Sequence, residues 1–288
     1  VFVRSVVACL AYCYMFCSTE NTTGLALNHM DITRALLLGQ IDRARLQSSM
    51  NKVKANMTTM NRGLESASRS VKDAFVRISW VIKNGTPMTK TKLLNSINSE
   101  IKALNTDSLI QSFSHKLSRQ SNCYVKKILY PSLSDSHYRQ HQDLKNCGFR
   151  QHFPLLMALL LRDDSSEEEE VREVLEIVET IYIRYILVGG ITPRTFEHMF
   201  ASWSKKAAEI DNLQKLIAKM KSDIADVVEP EMFNERFSEI SPNKKVLTYI
   251  LSKIERQHND SVNEISDFKV ATVVPIIPNY STYSNLPD

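Results

Sequence analysis

The strongest constraint on this chain is an apolar stripe with helical spacing that runs through residues 42–83. Leu46, Met50, Val53, Met57, Met60, Leu64, Ala67, Val71, Phe75, Ile78 and Ile82 recur at intervals of three and four. That period places one helix face in a core and the opposite face in water. One long amphipathic helix is expected there, with a bend at Gly63 and an end at NGTP, residues 84–87. Turn-forming residues are scarce, with 7 glycines and 9 prolines in 288 residues. A β-sandwich or barrel needs many more, so the chain is expected to be an all-α multi-helix bundle. Neither GxGxxG nor GxxxxGK[ST] occurs, which removes the phosphate-cradling glycine loops.

The helical period continues along most of the chain. Residues 29–40 read as a short helix with Asp31 in its first turn, followed by helices over 88–104 and over 108–131, where Pro131 stops the last. Residues 132–152 are polar and His-rich and read as a loop. HFPLLMALLL (152–161) is apolar all round, so it reads as a buried helix with Pro154 in its first turn. Ser165 or Ser166 is expected to cap a helix over 167–188, with its glutamates at the positive end of the helix dipole and Gly189–Gly190 at its end. Thr192 and Pro193 open the next helix, and 211–228 continues the helical pattern to Pro230. Ser241 and Pro242 repeat that signature before a helix over 241–258. The last residues, FKVATVVPIIPNYSTYSNLPD, read as a short strand and irregular chain. The organisation expected is an N-terminal edge (1–40), a basic helical region (41–131), a loop (132–152), an acidic helical bundle (153–265) and a tail (266–288).

The first residues include VVACLAYCYMFC, an apolar run too short to span a bilayer. It reads as a buried helix of a chain that continued upstream, and no membrane partner is expected. Five cysteines without regular spacing make no disulfide framework, so a reducing compartment, the cytoplasm, is expected. Cys9, Cys13 and Cys17 fall on one helical stripe as small apolar residues.

Charge is divided unevenly. Residues 1–162 carry 22 Lys and Arg against 9 Asp and Glu, whereas residues 163–288 carry 14 against 23. Lys52, Lys54, Arg62, Arg69, Lys72, Arg77, Lys83, Lys90, Lys92, Lys116, Arg119, Lys126 and Lys127 crowd into one stretch. Such a cluster fits the backbone phosphates of DNA, bound by charge and counterion release without reading sequence. Two other readings compete: a solvated basic face, or two halves that neutralise each other. Trp80 and Tyr124 are interleaved with these cations and fit a core equally well.

Other chemistries find little footing. Cys123, His137, His141, Cys147 and His152 offer mixed zinc ligands, but their gaps match no finger and no CxxC occurs, so no metal and no cofactor are expected. Glu197 and His198 resemble half of an inverted zinc motif whose first His would stand at Arg194, so the motif fails. Glu176 and Glu179 share a helix face, for which a solvated face is favoured over acid–base work. No nucleophile motif is present.

The order of five segments resembles the GmrSD-type restriction endonucleases. TENTTGLALNHMDITRALLL (19–38) resembles the Asn-Thr-Thr-Gly, Leu, Asp-Leu-Ile segment that closes the family's nucleotide-binding domain. VKDAFVRISWVIKNGTPMTKTKLLNSINSEIK (71–102) is similar to its long helix and Lys-rich connection, and DLKNCGFRQHFPLLMALLL (143–161) to its Gln-His-Tyr-Pro-Leu-Leu element. EVLEIVETIYIRYILVGGITPRTFEHMFASW (173–203) is similar to a helix with an Arg, then Gly, Thr and Phe-Ala-Ser, and KKVLTYILSKIE (244–255) to the helix before the nuclease domain. The resemblance spans about residues 14–279 and implies a defence protein that cuts modified invading DNA, with this chain as the helical middle. The family's Asp-Gly-Gln-Gln-Arg signature is absent. Where the family's nuclease has Glu-His-Ile-x-Pro, Val274 stands at the Glu position and Pro275 at the His position. Proline cannot act as a base, so those nuclease positions are degraded. The resemblance thus implies a non-catalytic scaffold with DNA as its partner. Two alternatives stay open: an active DNA endonuclease subunit, and a structural helical protein that binds a partner domain or a second copy through its acidic half.

Overall fold

The computed structural model describes residues 27–162, 167–224 and 230–258, which form an all-α bundle of twelve helices with no strand among the described residues. They are α1 (His29–Arg43), α2 (Met50–Leu64), α3 (Arg69–Asn84), α4 (Lys90–Ala103), α5 (Asp107–Cys123), α6 (Tyr138–Asn146), α7 (Phe153–Leu160), α8 (Glu168–Thr180), α9 (Pro193–Glu209), α10 (Leu213–Ile224), α11 (Pro230–Glu239) and α12 (Lys244–His258). Two helices widen into π turns at their ends, α5 through Tyr124–Leu129 and α8 through Ile181–Val188.

Helix ends follow local chemistry. Asn28 caps α1, its side chain accepting from the backbone of Met30 and Asp31, and Thr106 caps α5 through Leu109. Gly85 ends α3 in the left-handed region at φ 68°, where a side chain would be strained. Pro154 and Pro193 sit in first turns, as expected.

The buried α3 sets the arrangement. Phe75, Val76, Ile78, Ser79, Trp80, Val81 and Ile82 are all buried, so the second half of the helix keeps only a narrow wet edge at Arg77 and Lys83. It packs against α9 and α7, and also against α1 and α5. The helix α7 is covered in the same way and lies on α9, α3 and the first π segment. Alongside, α2 and α5 run parallel: Ser49 bonds Asp107, Asn56 bonds Ser114, and the Ser121 hydroxyl donates to the Met60 carbonyl. One apolar cluster runs through the bundle from Met30 to Ile250. Each fully buried large side chain in it, such as Trp80 or Trp203, contributes roughly 1.5–3 kcal/mol by its removal from water.

Five expectations need correction. The long helix of 42–83 is two helices, interrupted at Arg43–Leu46 and again after Leu64, while the helix passes straight through Gly63. The apolar period persists because α2 and α3 each bury one stripe, and spacing alone cannot show that the chain turns between them. Gly63 serves packing, since a Cβ there would lie 3.2 Å from Val125. The loop of 132–152 contains α6. Its polar composition reflects work at a helix end: His137 donates to the Lys127 carbonyl at 3.2 Å, His141 to Ile128 at 2.8 Å, and Lys145 to Leu129 at 2.7 Å. These carbonyls end the first π segment, and α6 satisfies them. The pattern of 193–228 breaks between α9 and α10, where Arg162 caps the carbonyls of Ala207 and Ile210. The 241–258 helix begins at Lys244 with Asn243 as cap, accepting from Lys245 and Val246, so Ser241 and Pro242 lie outside it. The helix of 167–188 becomes α8 and its π segment, and Ser165 and Ser166 fall outside the described residues. The strand expected in the tail, Val274, Pro275 and the Cys9–Cys13–Cys17 stripe also lie outside the described residues.

Among the described residues no helix is long and apolar enough to cross a membrane.

Candidate functional site

The eleven cations assigned to the DNA-facing surface divide into two groups. Arg69 pairs with Asp73 at 3.7 Å, Lys83 with Glu100 and Lys127 with Asp135, and Lys72 donates to the Glu65 carbonyl. The other seven, Lys52, Lys54, Arg62, Arg77, Lys90, Lys92 and Lys126, are exposed. None of their side chains makes an ion pair or hydrogen bond among the described residues. Two neighbourhoods emerge. The contact of Gly63 with Val125 sets the Arg62 turn of α2 beside the Lys126 turn. Arg77 and Lys90 both stand near His29, where burial, with these two cations adding to it, holds the imidazole below its ordinary pKa against the opposing Asp73. Lys116 is exposed, and Arg119 donates to the Leu161 carbonyl at 3.0 Å. Trp80 and Tyr124 are core residues, with 2% of each exposed.

Among the described residues, ion pairing between the two halves is sparse. Of the ion pairs among the described residues, only Arg162–Glu167 joins residues 1–162 to residues 163–258. The halves meet instead through the apolar contacts of α3 with α9. Three acids of the basic half are engaged locally, Asp107 with Ser49, Asp73 with His29 at 2.8 Å and Asp135 with Lys127.

The histidines proposed as zinc ligands are placed otherwise. His141 Nε2 donates to a carbonyl, so its Nδ1 accepts from His152 Nε2 at 3.0 Å. Burial pushes His141 down to about 4 and His152 well below its ordinary value, which keeps both rings neutral. Cys123 and Cys147 are half-buried and unbridged. Among the described residues no group of three or more His, Cys, Asp or Glu side chains is placed to hold a metal ion. His198 is exposed on α9, as is Arg194.

Glu179 corrects the expectation of a solvated face. Glu176 is exposed, but Glu179 is buried and accepts from Tyr249 at 3.1 Å and Lys253 at 2.8 Å. Burial raises its pKa, and Lys253 and Tyr249 oppose the rise. The thiol of Cys147 stands beside Tyr182 and is pushed up to about 11 by burial. This cluster joins α6, α8 and α12 and is closed: both carboxylate oxygens of Glu179 are occupied by the protein itself. The partners lie some seventy residues downstream, so no local spacing could have revealed them.

The bundle also has a cleft of about 460 Å³ between α3, the end of the first π segment, the α6–α7 turn and α9. Ile78, Val81, Leu129, Phe153 and Phe200 give it apolar walls, and Arg77, Lys145, Arg150 and Glu197 supply charge. Sequence reasoning found Arg77, weighed Glu197 only as half of a failed zinc motif, and missed Lys145 and Arg150. Four separate segments build this cleft, and the only local signal was a Gly-Phe-Arg turn inside a presumed loop.

No known protein family, curated protein or solved structure matches the chain.

Proposed function

We propose that this chain is a non-catalytic helical scaffold of a GmrSD-like DNA restriction protein, and that its basic half contacts DNA phosphate without reading sequence. The observation that supports this reading is the set of seven exposed cations that have no ion pair or side-chain hydrogen bond among the described residues. Unpaired surface cations hold counterions that a phosphate backbone can displace, and the release of those ions drives association. A scaffold role agrees with the chemistry of the buried Glu179 cluster, whose two carboxylate oxygens are both taken up by protein donors.

Fluorescence anisotropy with a non-specific duplex, at about 50 and 200 mM salt, tests the proposal. Binding is expected to weaken steeply with salt. The variant K52E/K54E/R62E/K126E is expected to lose most of its affinity, with a salt slope flatter by about 0.9 for each phosphate contact removed. Reversal of Lys206 and Lys215, exposed cations of the other half, is expected to leave binding within about twofold of wild type. Affinity that stays constant with salt overturns the reading.

A further inference from the structure

We propose that the cleft between α3, the α6–α7 turn and α9 is a binding site for a small amphipathic anion, with one phosphate or carboxylate head on an apolar body. Its volume of about 460 Å³ lies in the range of small-molecule sites. A backbone phosphate of DNA would leave the apolar walls unused. Ile78, Val81, Leu129, Phe153 and Phe200 instead suit a chain or ring that excludes water from that surface.

The charged groups around the cleft select the head. Arg77, Lys145 and Arg150 face one carboxylate, Glu197, and no ion pair among the described residues joins Glu197 to any of them. Lys145 already donates to the carbonyls of Ile128 and Leu129, at 3.3 and 2.7 Å. The guanidiniums of Arg77 and Arg150 have no hydrogen bond or ion pair among the described residues. Two free planar forks beside one apolar pocket match the two-oxygen edge of a phosphate or carboxylate. A cation would meet net repulsion. A neutral amphiphile would place apolar surface beside two unpaired charges and gain nothing from them.

The frame that holds these groups is rigid. Arg77 projects from α3, which is packed on both sides. Gly148, at φ 86°, makes the reversal that carries the chain from α6 into α7 and so sets Lys145 and Arg150 in the same lining. The inference shares Arg77 with the DNA reading but is tested apart from it, since the four cations reversed in that test lie outside this lining.

Isothermal titration calorimetry on the full chain, with octyl phosphate below its micelle concentration, tests the site. Octanoate tests the carboxylate head, inorganic phosphate the head alone, and octyl glucoside the neutral body. Saturable binding of octyl phosphate or octanoate at one site is expected, with inorganic phosphate and octyl glucoside at least tenfold weaker. The variant R77E/R150E is expected to weaken the preferred anion at least tenfold with an unchanged helical circular dichroism spectrum, because both side chains are exposed. K52E/K54E/R62E/K126E is expected to bind it like wild type while losing DNA. The proposal is overturned if neither octyl anion binds, if octyl glucoside binds as well as they do, if R77E/R150E retains wild-type affinity, or if K52E/K54E/R62E/K126E weakens the anion as much as R77E/R150E does.

Discussion

The acidic half holds several cations against its own carboxylates, whereas the basic half leaves a larger group of surface cations open among the described residues. Arg172 pairs with Glu169, Lys219 with Asp223, Lys221 with Glu173 at 2.6 Å, and Lys253 reaches the buried Glu179. In the basic half, by contrast, seven of the eleven cations expected to face DNA meet no acid among the described residues. Both halves share the same kind of core, and a single apolar cluster runs through them. What separates them is degree: more of the basic half's cations lack a carboxylate partner among the described residues.

The sharpest way to break this contrast is to remove one partner from each half. Replacing Lys253 with Met strands the Glu179 carboxylate in a buried site and is expected to cost about 3 kcal/mol in urea unfolding. The loss should grow as pH rises above the ordinary glutamate range, since a carboxyl whose folded pKa is raised destabilises the native state once it must ionise. Lys52→Met, at an exposed position with no partner, is expected to stay within about 0.5 kcal/mol of wild type. Equal losses would erase the distinction between settled and open charge.

A smaller effect concerns the neutral histidines at the seam. His141 in the folded chain lies at about 4, against 6.5 for the free side chain. A depressed folded value means that the unfolded chain takes up the proton first. The stability is therefore complete above about pH 6.5 and is lost as pH falls toward 4. Between pH 7.5 and 5 this histidine alone is expected to remove about 2 kcal/mol, read from urea midpoints at the two values. In His141→Gln most of that pH dependence should vanish. Its persistence would move the titration to other groups.

The smallest effect should ignore the contrast altogether. Asn28 caps α1 in the basic half and Asn243 caps α12 in the acidic half, each accepting from two backbone amides. Alanine at either position is expected to cost about 1 kcal/mol in thermal unfolding. A much larger loss at one cap would mean that the local start of a helix depends on the charge of its half.

Much of the helical grammar was legible. Pro154, Pro193 and Gly85 act through φ and a missing or strained backbone group, and those preferences belong to the residue itself. The buried character of α7 followed from an unbroken apolar run. The candidate face was legible only in part. Lys54 and Lys83 look alike along the chain, yet Lys83 meets Glu100 and Lys54 meets no acid, and only the packing of α3 near α4 decides that. The His-rich segment misled because its imidazoles and Lys145 serve carbonyls of an earlier helix, a use that leaves no periodic trace.

By itself, the sequence determined that this protein is built of helices, where most of them begin and stop, and that its positive charge lies in one half. These follow from backbone preference, apolar period and composition, all of which act over a few neighbouring residues. The tertiary structure alone decided which cations remain open, which carboxylate is buried and where a cleft forms. Each of those depends on groups distant in sequence meeting in space, and no local rule fixes such a meeting.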